Sequence, residues 1–365
     1  MNILWFSWKD AQHPQSGGAE VVKSEICRRL LNDGHSVAVL TAHYPGAKRN
    51  EIVDGVQIIR VGGKFSVYYH AWRFYKKNLK NWPDFVIDEC NTIPFFSLLY
   101  SKKPGAVIIY QLARKVWFYQ MFPPLSWIGY FIEPLYLRIL KSKNVITICN
   151  STKSELIDLG YIEKNISIIR MGSNCKPVES LDGIEKFPDP TLLYFGSIRP
   201  MKRPHHVLDA FKEAHKHLPS LKLIIAGSGS GKYYNKLLKD IANSHLSSSI
   251  TMVDNATDDE KSLLMQRSHL IAVTSVKEGW GLIVTEAASQ GTPAVVYDVS
   301  GLRDSVADNK SGLVVSENPV KLSKAILDIL HDSATYEEYR NNAWQLSKDL
   351  TFDNCYRDFK KNLEL

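Results

Sequence analysis

Cysteine is scarce and unpatterned in this sequence. Cys27, Cys90, Cys149, Cys175 and Cys355 are odd in number, scattered through 365 residues, and never spaced as CxxC. That argues against a zinc ribbon or a disulfide framework and for a reducing compartment. No apolar run approaches the roughly 20 residues of a membrane-spanning helix. The opening MNILWFSWKD carries no basic leader, and its apolar run is short for a signal peptide. A soluble or peripheral protein made in the cytosol is the expectation. Low-complexity tracts are also missing; at 44% hydrophobic and 23% charged residues the composition is that of a folded chain. The length suits two domains of about 150–200 residues.

Acid is in short supply in one place. Residues 1–175 hold 22 Lys+Arg against 13 Asp+Glu, whereas 176–365 hold 23 against 25. Within 101–150 there are seven basic residues and a single acid, Glu133. A one-sided basic half suits an anionic partner (nucleic acid, anionic lipid or a phosphorylated acceptor), or is a solvated basic surface.

What is present is an alternation of short apolar runs and amphipathic stretches, twice over. Strands are predicted over Asn2–Ser7, Ser36–Thr41, Val56–Val61, Phe85–Asp88, Ala106–Tyr110 and Val145–Cys149. A second series covers Thr191–Phe195, Leu221–Ala226, Ile250–Val253, Leu270–Thr274, Ala294–Tyr297 and Gly312–Val315. Runs that are apolar throughout fit parallel sheets covered on both faces. Between them lie helical patterns, such as Ala19–Leu31 with Val22, Ile26 and Leu30 on one face. The polar, proline-bearing stretch from Asn174 to Pro190 reads as a linker. The predicted organisation is a doubly wound α/β domain over 1–174, a linker over 175–190 and a second such domain over 191–365. The two would face across a cleft, with a short tail after the helix ending near Asp349.

In doubly wound sheets ligands bind beyond the carboxyl ends of strands, so the turns there are the places to search. After the first strand, Gly17-Gly18 opens a helix, which suits close approach of an anion to backbone amides. GxGxxG spacing is absent. Gly227-Ser228-Gly229-Ser230-Gly231-Lys232 falls short of a P-loop and reads as a flexible turn. After Phe195, the loop carries Arg199, Lys202 and Arg203 between a strand and a helix, where cations can clamp a diphosphate. The segment from Ser275 to Pro293 is the richest. Glu278 sits in a strand-end turn, and Gly279-Trp280-Gly281 opens a helix with Glu286 on its second turn. The amides of Gly281, Leu282 and Ile283 are helix-start donors suited to phosphate, and a carboxylate at Glu286 suits vicinal hydroxyls. No acid-x-acid pair stands at a strand end in the second half, so no metal and no cofactor are expected. Asp88 and Glu89, at a strand end, fit structural roles better than acceptor chemistry.

EGWGLIVTEA followed by GTPAVV resembles the E-x7-E region of glycosyltransferase family 4, retaining sugar transferases of GT-B fold. HPQSGGAE, VITICNSTKSELIDLGY with ISIIRMGSN, GSIRPMKRP and GLRDSV are similar to that family's other landmarks, in order. The resemblance implies that Glu286 holds the ribose of a nucleotide diphosphate sugar, that Glu278 contacts the transferred sugar, and that Lys202 neutralises the diphosphate. It implies that Gly17 and Gly18 border the diphosphate and acceptor. The family's usual arginine is replaced by Ser197, with Arg199 as the candidate substitute. Its usual histidine before Gln111 is Tyr110, which can hydrogen-bond a sugar hydroxyl but carries no positive charge.

Arg114–Lys143 packs Trp117, Phe118, Trp127 and Phe131 with further aromatics between flanking cations. That pattern fits a membrane or acceptor surface, and equally a buried helical hairpin. The expected function is metal-independent, retaining transfer from UDP- or GDP-sugar to a glycan or lipid-linked acceptor at the cytoplasmic membrane face. A nucleotide-sugar epimerase of the same fold and a nucleic-acid-binding protein are the alternatives. The latter lacks any helix-turn-helix, zinc-finger or single-strand platform pattern, so nucleic acid is not an expected partner.

Overall fold

The computed structural model describes Met1–Leu363 and divides into two compact units. Unit 1 comprises Met1–Trp117, Phe122–Gly172 and the chain from Phe352 onward; unit 2 comprises Phe118–Met121 and Ser173–Thr351.

Unit 1 is built on an eight-stranded sheet. In chain order its strands are β1 (Asn2–Phe6), β2 (Ser36–Ala42), β3 (Asn50–Val53), β4 (Val56–Val61), β5 (Phe85–Cys90), β6 (Gly105–Ile109), β7 (Val145–Thr147) and β8 (Ile166–Ile168). Their spatial order is β3-β4-β2-β1-β5-β6-β7-β8, parallel except for the β3–β4 pair. Ile3, Leu4, Trp5 and Phe6 are wholly buried because helices cover both faces, which is why β1 shows no alternation. Val22, Ile26 and Leu30 of the helix Gly18–Asn32 face this core as predicted. The strand order reverses between β2 and β5 on either side of β1, so the loop after β1 opens at a switch point.

Unit 2 carries a six-stranded, wholly parallel sheet. Its strands are β9 (Thr191–Phe195), β10 (Lys222–Ala226), β11 (Ile250–Val253), β12 (Leu270–Val273), β13 (Ala294–Tyr297) and β14 (Gly312–Val315), ordered β11-β10-β9-β12-β13-β14. The switch point lies between β9 and β12, whose following loops hold the cations and Glu278, with Glu286 on the helix that the second loop leads into.

Two sequence expectations change. The stretch expected to be a linker is strapped onto unit 2. Val178 N–H donates to Ser289 O at 2.9 Å, and Trp344 Nε1 donates to Val178 O at 2.8 Å. Lys186 Nζ donates to Ser268 O, Gly291 O and Thr292 Oγ1, each at 2.9 Å. The expected tail contains a helix, Phe352–Lys360, and it belongs to unit 1 rather than unit 2. Its Phe359 ring stacks on Trp5 at 6.0 Å, Asp358 pairs with Arg170 at 2.7 Å, and Tyr356 hydroxyl donates to Asp33 at 2.8 Å. Phe359→Ala should therefore destabilise unit 1 by about 3–5 kcal/mol in denaturant melts, the cost of emptying a packed aromatic site. A loss under about 1 kcal/mol would mean the helix is not part of that core.

Candidate functional site

The loop after β9 is held by backbone contacts before any side chain is considered. Gly196 N–H donates to Ala226 O at 3.0 Å, and Ile198 N–H donates to Ser228 O at 2.8 Å. A Cβ on Gly227 would stand 2.0 Å from Gly196 O, and one on Gly229 would stand 2.7 Å from Ile198 O. The glycine-serine stretch read as a flexible turn is therefore a close-packed buttress. Tyr194 hydroxyl donates to Ser197 O at 3.0 Å, fixing the position where the family arginine is missing.

A 3-10 turn, Pro200–Lys202, follows, and Thr274 at the end of β12 clamps it. Thr274 Oγ1 donates to Lys202 O at 3.0 Å and to Arg203 O at 2.9 Å, while Val276 N–H donates to Met201 O at 2.9 Å. Lys202 Nζ is thereby delivered to Glu278, with which it forms an ion pair. The same carboxylate oxygen accepts from Ser275 Oγ at 2.5 Å. The Glu278 backbone is fixed in turn: its N–H donates to Ser300 O at 3.2 Å, and Gly301, at φ +84°, would put a Cβ 2.2 Å from Glu278 O. Arg199 is exposed at the start of the turn, and Arg203 pairs with Glu317, so neither shares the Lys202–Glu278 contact.

Gly281, at φ +91°, turns the chain into the helix Leu282–Ser289, and Trp280 Nε1 donates to Thr285 Oγ1 at 2.9 Å across the junction. The first amides of such a helix have no intrahelical carbonyl to bond. Leu282 and Ile283 are half-buried there. Glu286 lies one turn in, with Lys261 Nζ 3.4 Å from its Oε1; Lys261 also sits 3.3 Å from Asp258. Burial pushes the Glu286 carboxyl above its ordinary pKa, and Lys261 opposes that in part. Lys261, Ser275 and Thr274 were missed from the sequence. Lys261 and Thr274 act on segments distant in number, and nothing in their spacing announces it, while Ser275 acts on Glu278 three residues on. Among the described residues no group of three or more His, Cys, Asp or Glu is placed to hold a metal ion.

In unit 1, Gly17 N–H donates to Glu20 Oε2 at 2.7 Å, which ties the glycine loop to the first turn of its helix. Gly17 has an extended backbone, and a Cβ there would meet nothing nearer than Glu20 at 3.8 Å. The fold leaves room for a side chain at this position. Tyr110 is placed differently from a ligand contact. It is 8% exposed, and its hydroxyl is buried without a hydrogen bond. Burial, then Glu89, Cys355, Glu20 and Cys27, hold its ionisation far above the usual range. Gln111 is half-buried, with its carbonyl oxygen unbonded. Asp88 accepts from the amides of Phe95 and Ser97, and Glu89 accepts from Trp5 Nε1 at 2.8 Å with Lys23 at 3.2 Å. Both are structural.

The aromatic quartet divides. Trp117 is core: its ring lies where a Cβ on Gly129 would be 2.4 Å away, and its Nε1 donates to Glu133 at 3.2 Å. Phe118, Trp127 and Phe131 are exposed.

Residues 182–345 match the family model for glycosyl transferases group 1, and residues 16–176 match that for glycosyltransferase family 4. The poly(glycerol-phosphate) alpha-glucosyltransferase of Bacillus subtilis (strain 168) is 33% identical over 150 residues, 40% of this chain and 22% of that protein. The chain thus spans about a fifth of that relative's length. Among solved structures, WaaG, a glycosyltransferase involved in lipopolysaccharide biosynthesis, superposes with TM-score 0.74 at 16% identity, covering 97% of this chain and 98% of its own. HepE of Anabaena, solved in complex with UDP-glucose, gives 0.72 at 16% identity, covering 100% and 99%. These likenesses show the fold to be GT-B.

Gly301→Ala should cost about 1–3 kcal/mol in unit 2, by left-handed strain and collision with the Glu278 carbonyl. Gly17→Ala should leave the melting temperature unchanged within a degree or so. If Gly17→Ala melts markedly early, the loop's glycine serves the fold after all.

Proposed function

We propose, from the premise that this chain belongs to glycosyltransferase family 4, that it moves a sugar from a nucleotide diphosphate sugar to a hydroxyl of a glycan or lipid-linked acceptor. The donor base is uracil or guanine, the transfer retains anomeric configuration, no metal ion is needed, and the site of action is the cytoplasmic membrane face. One observation carries the reading: Lys202 and Glu278 meet at the switch point of the second sheet, beside the opening amides of the helix that bears Glu286.

Each part has a use. Lys202 and the amides of Gly281, Leu282 and Ile283 bear the negative charge that collects on the departing diphosphate, in place of a cation from solution. The Lys202–Glu278 pair keeps the ammonium aimed before the donor arrives. The diphosphate then competes with Glu278 for it and frees that carboxylate for the hydroxyls of the transferred sugar. Glu286 offers two oxygens to the two ribose hydroxyls. As the glycosidic bond breaks, the anomeric carbon gains oxocarbenium character, and the leaving phosphate accepts the acceptor's proton on the same face. Arg199 is exposed beside this loop and can supplement Lys202 on donor binding. Gly17 and Gly18 admit the diphosphate or acceptor close to the backbone. Gln111, half-buried just past the end of β6, is the acceptor-side residue, while the buried Tyr110 packs beneath it and does not touch the acceptor. The alpha-glucosyltransferase activity of the Bacillus relative and the UDP-glucose held by HepE support a UDP-hexose as the first donor to try.

With UDP-glucose and a lipid-linked acceptor, Lys202→Ala should lower kcat about 10²–10³-fold with the melting temperature preserved. Glu286→Gln should weaken donor binding about tenfold, seen as a smaller ligand-induced thermal shift. Full transfer by both variants would sink the assignment. Chelator should leave the rate unchanged; strict dependence on Mg²⁺ or Mn²⁺ would refute metal independence.

The pH dependence follows from Glu286. Ribose binding needs the ionised form, and burial raises this group's pKa, so donor affinity should fall with decreasing pH from above the ordinary carboxylate range. Calorimetric titration across pH should show that loss in the parent chain and a flatter profile in Glu286→Gln.

A further inference from the structure

We propose that the outward face of the helix Leu125–Arg138 docks in the plane of a bilayer, on an anionic lipid surface. The inference rests on the reading of function above, for which it names the lipid side of the acceptor.

This helix is inside out. Its buried positions, Ser126, Glu133 and Leu137, include the polar and the charged one. The positions turned to solvent are Leu125, Ile128, Ile132 and Leu135, continued by Ile139 just past its end. Steps of three and four residues place them in one stripe. An ordinary surface helix has the opposite arrangement, with its apolar stripe against the core. Trp127 and Phe131, stacked at 6.0 Å, widen the stripe, and Phe131 is 62% exposed. Contiguous exposed apolar surface of this kind marks an interaction site.

Charge selects the partner. Glu133 is the sole acid in residues 101–150, and its charge is spent inward. It accepts from Ala113 N–H at 2.6 Å, Arg114 N–H at 2.7 Å and Trp117 Nε1 at 3.2 Å. The outward side is therefore apolar with cations only: Lys115 before the helix, Arg138 and Lys141 at its end, all exposed. Aromatic and aliphatic side chains at the acyl boundary with Lys and Arg at the headgroups are what an interfacial helix requires. A second copy of this chain fits less well, because a self-contact would bring like charges together with no acid to pair them. At 14 residues the helix is about 21 Å long, short of the roughly 30 Å hydrocarbon core. No described helix is long and apolar enough to cross a membrane. The geometry therefore supports lying in the surface rather than spanning it.

Co-sedimentation with extruded vesicles tests this without donor or acceptor. Binding is expected to vesicles with one phosphatidylglycerol per two phosphatidylcholine and to weaken with added salt, while pure phosphatidylcholine binds at least about tenfold less. The double variant Phe131→Ser, Leu135→Ser should lose at least about tenfold in affinity, and Lys141→Glu should lose the preference for anionic lipid. All three substituted positions are exposed, and a melting temperature equal to the parent's without ligand shows that the variants are folded. No binding of the parent chain to anionic vesicles, or binding that the double variant leaves unchanged, overturns the proposal. So does a dimer in sedimentation equilibrium that the same double variant dissolves, which would give the face to a second copy. Vesicle binding without any nucleotide-sugar response would uphold the docking face and fail the proposed function, so the two can fall separately.

Discussion

Everything in the second unit's site depends on holding one ammonium against one carboxylate at the end of a parallel sheet. Neither side chain could do this alone. Lysine is a long, flexible stem, and its charge is placed only because the backbone beneath it is pinned by Thr274 and Val276. Glu278 is pinned from the other side by Ser300 and by the absence of a side chain at Gly301. The glycines at 227 and 229 extend the same logic one strand further, since they let β10 press against the loop that carries the lysine. The ion pair is thus prepared by steric exclusion, and the charges are the last element added.

Much of this was legible in the sequence, for a physical reason. Strands inside a parallel sheet are buried on both faces, so most of the twelve predicted runs stand out as apolar stretches, and the ligand loops must follow their carboxyl ends. The two strands that escaped are at sheet edges. Asn50–Val53 is short and half polar, although Asp54-Gly55 after it is a hairpin signal, with φ of +50° and +82°. Ile166–Ile168 is three residues long.

Other features were hidden because they are tertiary. Trp117 and Trp127 occupy the same apolar, acid-poor stretch, yet one is core and the other surface. The difference lies in Gly129 and Glu133, which receive the Trp117 ring and its N–H. Lys261 reaches Glu286 across helices 25 residues apart in the chain. The expected linker composition proved to be that of a strap: a polar, proline-bearing segment can be held by hydrogen bonds from its backbone and from Lys186 as firmly as an apolar one is held by packing.

The return of the Phe352 helix to the first unit makes the second unit an insertion within the first. The first unit is thus closed by residues far along the chain, among them the aromatic partner of Trp5. Cutting the chain before Phe352 should therefore weaken the first unit, which would lose the ring that stacks on Trp5, and leave the continuous stretch Ser173–Thr351 of the second intact.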